Sequence, residues 1–189
     1  MKRYFNIGCM AVLSALLLAC GTGSQQIAEK PSTYYNVDSL LTASVNNCLK
    51  STSTVSVDKL VSIDEREEEQ SLTMDSTALA KEISMFRMLD INKPNLTFSY
   101  DQTVNGNEIN YQLKAREKQE GILNLKITTE GDRTIVEGEF IEQNSLYYTS
   151  RKMRIGIAAG SLKYYQVAGV QKMTFKDTVN YTLKGAILN

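Results

Sequence analysis

Histidine is absent from the 189 residues, and the chemistries that need an imidazole go with it. Ser-His-Asp and Cys-His nucleophilic catalysis are excluded, as are His-ligated zinc, iron and copper centres. Tryptophan is absent too, which removes the commonest large platform on which sugars stack. Cysteine is scarce: Cys9 and Cys20 fall in the first twenty residues, and Cys48 stands alone in the rest. No internal disulfide can form there. A basic surplus is also lacking, since 21 Lys and Arg balance 21 Asp and Glu. Nucleic acid is therefore not an expected partner.

What is present begins with an export leader. Lys2 and Arg3 precede an apolar stretch from Ile7 to Leu18, interrupted only by Ser14. Those twelve residues are too few to cross a bilayer, which takes about 20, so a signal peptide fits better than a spanning anchor. The stretch ends in Leu17-Leu18-Ala19-Cys20, which resembles the lipobox of bacterial lipoproteins, although Leu18 stands where a small or polar residue is commoner. The resemblance covers residues 1–20 only. It implies cleavage before Cys20, a diacylglyceryl thioether on its sulfur and further acylation of its amine. An ordinary secretory signal with an incidental Cys20 is the alternative. Each buried methylene contributes about 0.8 kcal/mol, so two or three chains make a durable anchor where one binds only reversibly. Neither an Asp nor an acidic cluster follows Cys20. Among lipoproteins this implies the periplasmic face of the outer membrane.

The expected layout is a signal peptide over residues 1–19, a lipidated tether over 20–33 and a single domain over 34–189. The tether is small and polar, contains Pro31 and shows no apolar periodicity. Without Lys2 and Arg3 the remainder carries 19 basic and 21 acidic groups.

Two helices are predicted. Asp38 can cap one that runs to about Lys50, with Leu41, Val45, Cys48 and Leu49 on one face. Cys48 is then a small buried hydrophobe, not a nucleophile. Asp75 or Ser76 can cap the second, where Leu79, Ile83 and Phe86 form a stripe that Met85, Met88 and Leu89 widen, and Pro94 ends it. Between them Val55, Val57, Val61 and Ile63 alternate as a strand despite Lys59. The acidic run 64–69 reads as a solvated turn, and Leu72 and Met74 as a short returning strand. It lacks the spacing and turn glycine of a calcium loop.

From Asn95 onward the period is two. Leu96, Phe98 and Tyr100 alternate, Asn105-Gly106 makes a hairpin turn, and Ile109, Tyr111 and Leu113 alternate again. Leu123, Leu125 and Ile127 follow, then a turn at residues 130–132. Further strands are expected at 134–141, 146–157, 162–170 and 179–188. The fold class is α+β: two N-terminal helices followed by an antiparallel β-meander of six or seven strands. The expected form is a curved sheet wrapped on the second helix, and a β-sandwich with flanking helices is the alternative.

No catalytic, metal or cofactor motif is present, and no cofactor is expected. Gly21-Thr22-Gly23-Ser24 lacks the lysine and the setting of a phosphate loop. Charge is unevenly spread, however: residues 143–189 hold 7 basic groups and 1 acidic. Arg151, Lys152 and Arg154 share one predicted strand, with Lys152 and Arg154 on one face and Arg151 on the other. They can pair with Glu137, Glu139 and Glu142 on the next strand, or form a patch for an anionic lipid or glycan. Tyrosines recur in pairs (34–35, 147–148, 164–165), each sheet pair expected to place one ring in the core and one outside. Three readings follow. The first is a membrane-anchored, non-enzymatic module that binds a lipid or a partner protein. The second is a structural subunit of an envelope assembly, and the third a carboxylate-dependent enzyme acting on glycans.

Overall fold

A computed structural model describes residues 34–115 and 119–188. The predicted leader, Cys20 and the tether lie outside the described residues. The first helix, α1, spans Val37–Cys48. Its cap is Asn36, whose side chain accepts from the Ser39 amide at 2.8 Å. Asp38, the expected cap, lies in the first turn, where its charge suits the helix dipole and it pairs with Arg87. Val37, Leu41, Ser44, Val45 and Cys48 make the buried face. The Cys48 thiol donates to the Leu162 carbonyl at 3.4 Å, and burial pushes its pKa up.

Strands β1 (Val55–Ile63) and β2 (Arg66–Met74) follow as an antiparallel hairpin. Its turn is only residues 64–65, with Asp64 at φ 52°. Most of the acidic run is therefore not a turn but the outermost strand of the sheet, exposed from Arg66 to Ser71. A strand with no neighbour on one side can carry charge on both faces, and β1 supplies its hydrogen bonds on the other.

Asp75 caps α2 (Ser76–Glu82) by accepting from the Ala78 amide at 2.8 Å. The chain then tightens into a 3-10 helix over Ile83–Leu89. At three residues per turn Ile83, Phe86 and Leu89 fall in line, and all three are buried. The helical run stops at Leu89, and Pro94 does not end it. Pro94 instead opens a further 3-10 turn, Pro94–Leu96. That turn displaces the predicted strand, which begins at Tyr100: Phe98 is not in a sheet face but at φ 68° and 68% exposed.

The remaining strands are β3 (Tyr100–Asn105), β4 (Glu108–Leu113), β5 (Gly121–Glu130), β6 (Arg133–Gln143), β7 (Tyr147–Ala158), β8 (Ser161–Met173) and β9 (Val179–Leu188). The first turn falls one residue later than expected, on Gly106-Asn107, with Gly106 at φ 58°. A register shift in β5 between Ile122 and Asn124 puts Ile122, not Leu123, in line with Leu125 and Ile127. All nine strands of the described residues form one antiparallel sheet, so the two sheets of a sandwich are not present. The order is β2-β1-β9-β8-β7-β6-β5-β4-β3. The first hairpin forms one edge, α2 and the following turns carry the chain across to β3 at the other edge, and the meander returns until β9 meets β1.

Both helices lie on one face, here the inner face. Cys48 reaches Leu162, Asn47 donates to the Gly160 carbonyl at 3.0 Å, and the Phe86 and Tyr165 rings meet edge to face at 5.9 Å. Leu89 packs so closely over Gly138 that a Cβ there would collide with its side chain. The turns β1–β2, β6–β7 and β8–β9 and the start of β3 fall at one end of the sheet, the lower end. The turns β3–β4, β5–β6 and β7–β8 fall at the upper end.

Candidate functional site

The strand register places the three basic residues of β7 on opposite faces. Arg154 stands across from Glu137 and Lys152 across from Glu139, both on the outer face. Arg154 pairs with Glu137 at 3.4 Å and its guanidinium lies 5.9 Å from the Tyr164 ring. Lys126 joins the same carboxylate at 3.3 Å and Glu108 at 3.7 Å, and the bond to Glu137 holds its ammonium pKa above the usual value. Asn124 donates to Glu139 at 3.0 Å. Glu142, by contrast, is met by the Tyr147 hydroxyl and not by a cation.

Arg151 is placed differently. It shares the inner face with Thr149 and Met153, across from Phe140 on β6 and Gly169 on β8. Its Nε donates to the Tyr181 hydroxyl at 3.0 Å, and its guanidinium lies 5.7 Å from the Phe140 ring. Tyr181 in turn lies over Gly169, where any Cβ would strike the ring. Among the described residues Arg151 forms no ion pair. Around it the inner face carries Val61, Ile63, Leu183 and Val179 from β1 and β9, half-buried or exposed. The helices cover the upper part of these strands, and among the described residues nothing is shown packed on this part. Arg151 was legible as a basic residue pointing away from Lys152 and Arg154, but its neighbour Phe140 was not singled out. Tyr181 and the β1–β9 residues were not legible as neighbours, because only the long-range pairing of β9 with β1 brings them alongside.

The tyrosine pairs divide as strand geometry requires at residues 164–165. Tyr165 is buried under Phe86 with its ring over Gly185, and Tyr164 lies on the outer face over Gly156. The Tyr165 hydroxyl donates to Glu82 at 2.9 Å, and Lys59 meets the same Glu82 oxygen at 2.7 Å. Burial first, and then Glu82, push the Tyr165 pKa far up. Lys59 points inward among the valines of β1 because Glu82 of α2 awaits it. Tyr34 packs edge to face with Tyr100 and Tyr111 at 5.6 and 5.4 Å, which fixes the start of the domain beside β3 and β4.

The outer face is fluted. A groove of about 560 Å³ runs between Asp58, Glu69, Ser71, Tyr164 and Lys184. A second, of about 460 Å³, lies over Glu137, Glu139, Lys152 and Arg154. Both are shallow and of mixed lining, and the carboxylates of the second are engaged by Lys126, Arg154 and Asn124. The chain is thus an α+β protein with one open antiparallel sheet and helices on one face; among the described residues the part of that face the helices leave uncovered carries Arg151 on β7, and Arg66 and Glu68 on the edge strand β2. No family model, no curated protein and no solved structure matches it.

Proposed function

We propose that this chain is a lipid-anchored, non-enzymatic binding module of the bacterial cell envelope. It is held through Cys20 at the periplasmic face of the outer membrane and binds an acidic amphiphile, a lipid with an anionic head, on the open part of its inner sheet face. One observation carries the ligand: among the described residues Arg151 forms no ion pair, and it lies beside Phe140 and Tyr181 with Leu183, Val61 and Ile63 farther along the same face. A cation edged by apolar side chains suits a head group at one point and an alkyl chain around it. Nine strands are too many to stay flat, and a sheet curled about its helices gives such a chain a concave bed.

Native mass spectrometry of the span from Gln25 onward tests this reading. The expected result is a co-purified acidic lipid in the wild type that Arg151→Glu loses, with Lys152→Glu keeping it. Apo protein from membranes rich in such lipids, or an adduct that survives Arg151→Glu, would show that the ligand or its seat is wrong.

A further inference from the structure

Exposed apolar side chains are gathered at the lower end of the sheet. Phe175 in the β8–β9 turn is 102% exposed, Phe98 before β3 is 68% and Leu146 in the β6–β7 turn is 67%. Ile63, Met173 and Val179 follow at the ends of their strands. The upper end exposes only Val104 and Leu188 to a comparable degree, and two of its turns are built on Gly106-Asn107 and Gly131-Asp132. Phe98 and Phe175 also hold φ of 68° and 63°, a backbone region in which a bulky side chain is a genuine outlier. Water gives no reason to keep a fully exposed ring on a strained turn. Such strain persists where the surroundings enforce it, and it gathers at working surfaces.

The turns carrying these residues are firm. Thr174 donates to the Leu146 carbonyl through its amide at 2.8 Å and its hydroxyl at 3.0 Å, tying the β8–β9 turn to the β6–β7 turn. Lys172 and Lys176 flank Phe175, and among the described residues neither forms an ion pair. At the other margin Lys114 donates to the Phe98 carbonyl at 2.6 Å. Acidic groups are present as well. Asp177 follows in the same turn, Glu142 is taken by Tyr147, and Asp64 and Glu65 stand beyond β9 on the edge hairpin. Apolar tips with lysines beside them match the layered chemistry of an anionic bilayer surface, an apolar interior beneath negative head groups.

The path of the chain supplies a second argument. Tyr34 enters the domain at the lower end: its hydroxyl donates to the Leu96 carbonyl and accepts from the Tyr100 amide, both at 3.3 Å. Fourteen residue steps separate it from Cys20, a reach of at most roughly 50 Å. A bilayer holding acyl chains on Cys20 is therefore within reach of the end that carries Phe98. We propose that the lower end of the sheet is a membrane-inserting tip, with Phe98, Leu146 and Phe175 seated in the interfacial layer of an anionic bilayer and Lys172 and Lys176 on its head groups. This tip is a contact additional to the Cys20 anchor, and it brings the open inner face to the membrane surface.

The absence of tryptophan makes the test direct. Phe175→Trp, Leu146→Trp and, at the upper end, Val104→Trp each place one fluorophore in the full chain, which is reconstituted into vesicles of phosphatidylcholine and phosphatidylglycerol. Tryptophan at 175 and at 146 is expected to shift to the blue and lose emission to lipids brominated near the head-group end of their chains. At 104 it should keep its solvent wavelength and its intensity. Lys172→Glu with Lys176→Glu should lower the preference for anionic over neutral vesicles by an order of magnitude or more, at roughly fivefold per lysine. Solvent-like emission at both lower positions, or equal quenching at 104, overturns the tip. Sedimentation of wild type against Cys20→Ala reads the anchor separately, so either contact can fail without the other.

Discussion

Phe86 shows at the scale of one residue how the covered half of the molecule is held. Its ring is wholly buried and meets that of Tyr165 edge to face at an interplanar angle of 70°. Phe86→Ala removes that ring and the neighbours can close only in part, so the expected loss is about 3–5 kcal/mol. In a domain of ordinary stability this is a large share of the total. Urea unfolding of the two proteins measures it, and a loss below about 1 kcal/mol would mean that the ring lines a hollow instead of a packed core. Lys59 teaches the complementary lesson. In the sequence it interrupts an alternating strand. In the fold it is the partner of Glu82, which also receives the Tyr165 hydroxyl. A long-range partner cannot be read from the residues beside it.

Among the elements, the edge strand β2 is the most informative. Its exposed Arg66, Glu67, Glu68 and Glu69 occupy a strand that, among the described residues, pairs with no strand on its outer side. Like charges on such an edge repel a second copy that would otherwise add to the sheet. Replacing Glu67, Glu68 and Glu69 together with Val is expected to leave the monomer folded, since Val suits strands better than Glu. The variant should instead form dimers and larger species at micromolar concentration in light scattering. A variant that stays monomeric would show that these charges do not guard the edge. The acidic run reads as a turn in the sequence because charge clusters are usually solvated, and periodicity is blind to a strand exposed on both faces. The later strands were legible for the opposite reason. Val136, Ile155, Ile157, Leu162 and Val167 bury one face under the helices and leave the other in water, and that contrast is what a period of two records. The segment 83–99 read poorly because the winding changes from 3.6 to three residues per turn and a further turn opens at Pro94.

For the whole molecule, buried tyrosines set the response to alkali. Burial pushes Tyr100 up to about 12 and raises Tyr35 and Tyr111 as well. Tyr165 is raised by burial and by Glu82. In the unfolded chain a tyrosine titrates near 10. Below that pH both states hold the tyrosine proton, which leaves stability unaffected. Above it the unfolded state loses the proton first, so stability falls as pH rises from about 10 through the folded value. Each protected tyrosine contributes about 1.4 kcal/mol per pH unit in that window. The urea midpoint should therefore begin to fall near pH 9, where the unfolded Cys48 thiol ionises before the buried one, and drop more steeply beyond about pH 10. A midpoint that stays flat to pH 11.5, about the upper part of the window, would show that these hydroxyls meet solvent in the folded state.

The sequence by itself determined the classes of chemistry this chain lacks, since the missing histidine and tryptophan hold in any fold. It also determined most of the meander and the approximate places of both helices, because caps, turn residues and apolar period act over a few neighbours. Tertiary structure alone decided that the first hairpin pairs with the last strand, with Val57 across from Ile187. That pairing joins residues more than a hundred positions apart, and no local propensity encodes which edge a hairpin joins. It decided the site as well. Arg151 reads in sequence as one of three clustered cations. The strand pleat separates it from Lys152 and Arg154 and sets it, with Tyr181, in the uncovered part of the inner face.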